Sequence, residues 1–250
     1  MNLTYRGVDL ASFGVITLVD GLHSSPKEQD GALEIIGRHG KLYRPGMLEP
    51  RKIVVGLTMA DSTLAQLNAK VEDLRKLQYR GLSTLQYQED GNIRTCQAEL
   101  VEVSVALSNG PIAKATLEFA IPGTYFFGTA LQSQEVQITA SPTNFYLTHS
   151  GTLKATLMKI TLSGPLQNPR VDNLTNGVWL GFTGSINSGG YILVDSEKFT
   201  VVDSSGISQL PNFVHSGSTY FFELVPGSNQ IQVTTETLGG KIKFEFYPHY

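Results

Sequence analysis

The chain has 250 residues, 41% of them hydrophobic and only 16% charged, with 25 glycines, one cysteine and a net charge of −3. That length allows one large domain or two ordinary ones with real cores, and the near-neutral balance excludes a general electrostatic affinity for nucleic acid or anionic membranes. No apolar run reaches the roughly 18 residues of a membrane span, the opening MNLTYRGVDL lacks the basic and apolar regions of a signal peptide, and Cys96 has no second cysteine to pair with, so synthesis in a cytoplasm is expected.

Leu3 and Tyr5, then Val15, Ile16 and Leu18, read as short strands interrupted at Gly7 and Gly14. Residues 21–52 are rich in breakers (Gly21, Pro26, Gly31, Gly37, Gly40, Pro45, Gly46, Pro50) and predict a long loop. Its second half sets Arg38, His39, Lys41, Arg44, Arg51 and Lys52 against Glu49 alone, a cluster that either faces an acidic partner or is merely solvated. A short apolar strand is expected at 53–57. From Thr58 to Tyr79 comes the clear helical signal, with Leu64, Leu67, Val71, Leu74 and Leu77 at intervals of three and four. Thr58, Asp61 or Ser62 are the candidate N-caps. Lys76 and Arg80 suit the negative end of the helix dipole, and Gly81 can adopt the left-handed conformation that ends a helix. The stripe is expected to face the core, since about three heptads are too few for a coiled coil.

Residues 82–88 predict another strand, closed by a turn at Glu89–Asp90–Gly91–Asn92. The strongest β signal follows, with arms at 93–107 and 113–121 around Ser108–Asn109–Gly110–Pro111, where Asn-Gly favours a tight hairpin turn. In the second arm Ala115, Leu117, Phe119 and Ile121 alternate with polar or small residues. In the first arm Ala98 and Leu100 are in one phase and Val101, Val103 and Val105 in the other, which predicts a β-bulge or a strand whose halves pack against different things. So long a hairpin can reach beyond its own domain.

Pro122–Gly123–Thr124 marks a boundary. Residues 1–130 hold 27 charged residues and 131–250 only 14, the latter being rich in Ser, Thr, Asn and Gly instead. Two domains, 1–130 and 131–250, are expected. The second predicts eight short strands, at 135–139, 154–163, 178–183, 191–195, 198–202, 219–224, 230–235 and 241–247, a pattern that suits a β-sandwich or jelly roll.

Signatures of catalysis are sparse. No nucleophile elbow, phosphate loop, zinc-protease or calcium-loop pattern occurs, and neither enzymatic activity nor a cofactor is expected. His23, His39, His149, His215 and His249 are scattered and read as surface residues. Glu99 and Glu102 lie close in sequence. Asp195 and Glu197, two apart in a strand, could face one another as in a glycosidase, although a solvated strand end is the commoner arrangement. Trp179, Tyr191, Tyr220, Phe221 and Phe222 read as core aromatics; the alternative is a carbohydrate-binding module for host cell-wall glycan, with Trp179 and Tyr191 as contacts.

The segment Gly164–Pro165–Leu166–Gln167–Asn168–Pro169–Arg170–Val171–Asp172–Asn173, followed by Asn176–Gly177, resembles the C-terminal part of siphophage distal tail proteins (Dit). A glycine, an Asn-Pro pair and an apolar-x-Asn step there precede a hairpin, with Val194–Asp195 and the Pro226–Gly227–Ser228–Asn229 turn completing the pattern. An early aromatic-x-Gly region, the Gly37–Arg38–His39–Gly40 step, then strand, long helix and long hairpin are similar to the N-terminal part of that family, so the resemblance covers essentially the whole chain.

The resemblance implies a mainly β structural protein of the virion, located at the phage tail tip and assembled in the host cytoplasm. Its N-terminal β-sandwich or ring-forming domain would carry the helix and long hairpin, and its C-terminal domain would be a galectin-like β-sandwich. It implies a homohexameric ring between the tail tube protein and the tail-tip or tail-associated lysin protein, with receptor-binding proteins as further partners, and neither direct nucleic-acid recognition nor membrane insertion. Gly37, Arg38, Gly40 and Arg44 of the loop, and Val101, Val103 and Val105 of the hairpin, are the candidate ring and neighbour contacts. The two glycines would permit backbone conformations or close approaches that a side chain prevents.

Overall fold

Alternation of inward apolar and outward polar side chains governs both halves of the chain. The computed structural model describes residues 2–24, 33–34, 41–42, 49–78, 81–108, 110–123, 125–216 and 222–250. Its contacts divide into two compact units, Met1–Phe126 and Phe127–Tyr250.

The first unit contains β1 (Asn2–Tyr5), β2 (Val8–Asp9), β3 (Val15–Asp20), β4 (Arg51–Ala60), α1 (Leu64–Lys76), β5 (Ser83–Glu89), β6 (Asn92–Leu107) and β7 (Ile112–Ile121). The strands form one continuous antiparallel sheet in the order β2-β1-β5-β6-β7-β4-β3. Asp90 and Gly91 both take positive φ between β5 and β6, the two-residue turn whose twist suits a hairpin. At the other end of β6 the loop holds four residues, Ser108 to Pro111, closed by the Ser108 N–H donating to the Ile112 carbonyl at 2.9 Å.

The helix is shorter than the sequence predicts. Thr58–Ala60 belong to β4, where Leu57 and Met59 continue the buried alternation of Ile53 and Val55. Thr63 is the N-cap, its hydroxyl oxygen accepting from the Gln66 N–H at 3.2 Å. Asp61 pairs instead with Lys70 at 3.0 Å. The helix ends at Lys76, so Gly81, although its φ is +108°, lies beyond it and does not terminate it. Leu67, Val71 and Leu74 are buried and the helix packs on β6 and β7, each such side chain stabilising by about 1.5–3 kcal/mol. Leu64, on the predicted stripe, is 54% exposed because it opens the first turn.

The second unit is a β-sandwich. It contains β8 (Gln132–Gln137), β9 (Thr143–His149), β10 (Met158–Ser163), β11 (Arg170–Asn173), β12 (Val178–Phe182), β13 (Tyr191–Asp195), β14 (Thr200–Asp203), β15 (Phe213–His215), β16 (Gly227–Thr234) and β17 (Lys241–Phe246). They form two five-stranded sheets, β8-β17-β10-β13-β14 and β9-β16-β11-β12-β15. Ile160, Leu162, Val194 and Phe244 of the first sheet meet Val171, Leu180, Ile231 and Val233 of the second in one core. Strands β9, β11 and β15 escape the sequence pattern. β11 and β15 are too short to show alternation, and β9 alternates around Phe145, Leu147 and a buried histidine. The strand expected at 219–224 lies partly outside the described residues, and Leu224 makes only an isolated bridge to Ala155.

Candidate functional site

The hairpin β6–β7 is organised by a bulge. Leu100 pairs with Phe119 and Glu102 with Glu118, so Val101 is the extra residue, at the predicted change of phase. β6 pairs with β5 up to Ala98 and with β7 from Glu99 onward, on both sides of the bulge. Two side chains hold this junction. The Tyr5 hydroxyl, itself fully buried, accepts from the Leu100 N–H at 3.3 Å and donates to the Ala98 carbonyl at 3.5 Å. The Gln78 amide donates to the Val101 carbonyl at 2.8 Å.

Beyond the bulge β5 no longer flanks β6. Val103 and Val105 stand opposite Leu117 and Ala115, on the helix-covered face, and are half-buried. Val101, Leu107 and Ile112 are 42%, 61% and 41% exposed, and on β3, the last strand of the order, Val15 and Leu18 are 69% and 53% exposed. The hairpin does not project as a free arm, because β4 pairs with β7 along its whole length, from Arg51–Ile121 to Ala60–Ile112. On the sheet face away from the helix Glu102 lies directly opposite Glu118. Such a like-charge pair is unfavourable across strands, and Lys52 offsets it by binding Glu118 at 2.6 Å. Val15, Leu18 and Ile112 are apolar residues in the outward phase of a strand, whereas Leu107 follows Val103 and Val105 in the inward phase, opposite Ala113, and is exposed at the end of its strand.

Gly37, Arg38, Gly40 and Arg44 lie outside the described residues. Of the basic cluster that includes them, Arg51 is not a surface cation: it is 9% exposed, its guanidinium stacks 5.3 Å from the Phe126 ring centroid and it donates to the Ser24 carbonyl. Burial holds its pKa below the usual value. Position 51 begins the inward phase of β4, which overrides its charge.

In the second unit, Trp179 and Tyr191 are not brought together, since β12 and β13 belong to different sheets. The Trp179 ring is covered on one side by Arg170, 4.1 Å from its centroid, and Arg170 is clamped by Asp172 through bonds of 2.6 to 3.0 Å. Tyr191 is 40% exposed. Phe222 is buried as expected, whereas Tyr220 and Phe221 lie outside the described residues.

Asp195 and Glu197 line a recess of roughly 200 Å³ with Lys159, Glu245, Leu131 and Tyr247. Asp195 is no solvated strand end: it is 2% exposed and its carboxylate accepts from the backbone N–H groups of Glu197 and Lys198 at 3.1 and 3.2 Å, closing the β13–β14 connection. His149 and His249 are likewise buried rather than on the surface. Among the described residues no group of three or more His, Cys, Asp or Glu is placed to hold a metal ion, and no helix is long and apolar enough to cross a membrane.

The motif asparagines do meet. Asn173, ending β11, and Asn229, the third residue of β16, are both fully buried and hydrogen-bond to each other at 3.0 Å. Asn229 also accepts from the Val225 N–H at 2.9 Å and donates to the carbonyls of Val225 and Gly227 at 2.8 and 3.2 Å. Asn173 donates to the Glu223 carbonyl at 3.0 Å and accepts from the Thr175 N–H at 3.1 Å. Two turns far apart in sequence are thus fixed through one amide pair. Asn168, with φ of +46°, accepts from the Gly184 N–H at 2.8 Å in a second lock.

Taken together, the geometry is that of a mainly β protein whose first unit is a helix-covered sheet with a bulged hairpin and whose second is a β-sandwich. No family model and no curated protein sequence matches it. One solved structure that shares this fold is the SPP1 Dit (gp 19.1) protein, described as a paradigm of hub adsorption apparatus in phages infecting Gram-positive bacteria. It superposes with a TM-score of 0.71 and 20% identity over 100% of this chain and 98% of that one. The phage P2 baseplate in its activated conformation with Ca gives a TM-score of 0.43 and 10% identity over 92% and 89%. The same baseplate with Sr gives 0.40 and 11% over 91% and 89%.

Proposed function

We propose that this chain is a distal tail protein, a structural hub of a phage virion whose copies close into a hexameric ring at the end of the tail tube. The first unit builds the ring, and the second is a galectin-like sandwich. The ring joins the tail tube protein on one face to the tail-tip protein on the other. The observation that carries this reading is the shared fold with the SPP1 Dit hub protein over the whole of both chains.

The surface of the first unit supports it physically. Strand β3 and the part of β6 beyond the bulge each present backbone at a sheet margin together with exposed Val, Leu or Ile side chains. Edge strands of this kind are stabilised by pairing with another chain, and a contact between two different patches of one subunit closes into a ring when its rotation allows. Val101, Val103 and Val105 are the residues assigned to this contact, and Gly37, Arg38, Gly40 and Arg44 those assigned to adjoining rings.

The test is the solution mass of the purified protein with negative-stain imaging of what elutes. Six copies of the 27.2 kDa chain would weigh about 163 kDa and appear as a ring with a central hole. A protein that stays monomeric even with tail tube or tail-tip protein added would overturn the reading. Assembly that survives Gly37→Ala with Gly40→Ala would remove those two glycines from it.

A further inference from the structure

Two buried imidazoles tie three separate segments of the second unit together. His149 ends β9 and His249 follows β17. They are 1% and 0% exposed, and their rings stand 6.2 Å apart at 82°. His249 packs edge-on against Phe127 at 4.9 Å and His149 against Phe246 at 5.7 Å. The loop between β9 and β10 is held by both residues. The backbone N–H groups of Thr152 and Leu153 donate to the His249 carbonyl at 2.9 and 3.1 Å, while the Leu153 carbonyl lies 2.7 Å from His149 Nε2. The Gly128 N–H donates to the Pro248 carbonyl at 2.9 Å, so the start of the unit joins the same clasp. At Gly151 a side chain would collide with the His249 carbonyl and the His149 ring.

This geometry specifies the neutral form of His149. With Nε2–H directed at the Leu153 carbonyl, Nδ1 is left as an acceptor, and the Gly151 N–H points to it at 3.3 Å. A proton on Nδ1 would set one donor against another in a buried site. Among the described residues no carboxylate pairs with His149. Of the ionisable groups on the surrounding elements, Lys154 pairs with Glu223 at 2.9 Å, Glu245 with Lys243 at 2.7 Å and Glu135 with Lys241 at 3.0 Å. Lys159 lies 4.0 Å from Asp195, and the phenols of Tyr146, Tyr247 and Tyr250 lie on the same elements. A charge on His149 therefore faces burial and, across 6.2 Å, the His249 ring.

We propose that His149 and His249 form an acid-released clasp, so that below neutral pH the segments 127–128, 150–153 and 247–250 detach while the sandwich core stays folded. Burial lowers both pKa values, that of His249 to about 4 with His149 as the second cause, while the Leu153 carbonyl partly opposes the shift at His149. The sign follows directly. A released histidine titrates near 6.5 and the clasped one lower, so the released state binds more protons between those values. The clasp is at full strength above about pH 6.5 and weakens as pH falls.

Hydrogen exchange of the full chain between pH 7 and pH 5, corrected for intrinsic rates, reads this directly, with Trp179 fluorescence reporting the fold of the unit. The expected result is a fall of about 20-fold in protection of the three segments from one histidine alone, with Trp179 emission and β16 protection unchanged. The His249→Gln and His149→Gln variants should each lose part of that pH dependence. Protection that is flat with pH, or that falls equally across the whole unit, overturns the proposal. So does a full wild-type profile in both variants, and if neither variant folds, the wild-type profile alone decides.

Discussion

Replacing Asn229 by Ala removes the side chain that holds the turn before β16. Four hydrogen bonds are lost: those from Val225 N–H and the Asn173 amide, and those to the Val225 and Gly227 carbonyls. The site is fully buried, so water does not replace them without a rearrangement, and at about 1 kcal/mol net per bond the loss is about 3–4 kcal/mol. That is a large share of the 5–15 kcal/mol typical of a domain. Urea unfolding followed by Trp179, the sole tryptophan, reports this unit selectively, and its midpoint should fall by roughly 2 M without a change in slope. Asn173→Ala keeps the Asn229 turn but leaves the Thr175 N–H without its partner, while the Glu223 carbonyl still accepts from the Asn176 amide at 3.1 Å. The double variant should then cost less than the sum of the singles by about 0.5–3 kcal/mol, as contacting residues do. A loss under about 1 kcal/mol for Asn229→Ala, or additivity within about 0.5 kcal/mol, would show that the amide pair does not couple the turns.

Three further outcomes are expected. Leu67→Ala should destabilise the first unit by about 2–5 kcal/mol and Leu64→Ala by much less, measured by circular dichroism; similar losses would contradict the helix register. Tyr5→Phe should cost about 1 kcal/mol and raise hydrogen exchange at Leu100, whereas unchanged exchange would mean that the hydroxyl does not hold the bulge. Cys96 is 3% exposed and burial pushes its thiol up to about 12, so the native protein should resist Ellman's reagent at pH 8 and react only on unfolding.

Local pattern made much of the fold legible. The phase change at Val101 located the bulge, Asp90–Gly91 the turn into β6, and the Leu67–Val71–Leu74 stripe the buried face of the helix. These are signals written in neighbouring residues, where a period of 2 or 3.6 or a left-handed turn position leaves its mark directly. Helix boundaries were less legible, because Thr58–Ala60 are as compatible with a cap as with a strand until Leu57 and Met59 are seen to continue the buried face of β4. Of the candidate contacts, Val101, Val103 and Val105 could be named from sequence, but their differing exposure depends on where β5 stops.

Composition and pattern by themselves determined a mainly β chain with one amphipathic helix, no cysteine framework and a long bulged hairpin. Each of those follows from residue type and spacing along a few neighbouring positions. Tertiary structure alone decided that Arg51 and both His149 and His249 are interior, that Trp179 and Tyr191 stand on different sheets, and that Asn173 and Asn229 touch. The reason is that burial of a polar group is set by what other strands bring to it. An arginine finds an aromatic ring and a carbonyl, an imidazole finds a carbonyl and an N–H, and an amide finds another amide 56 residues away.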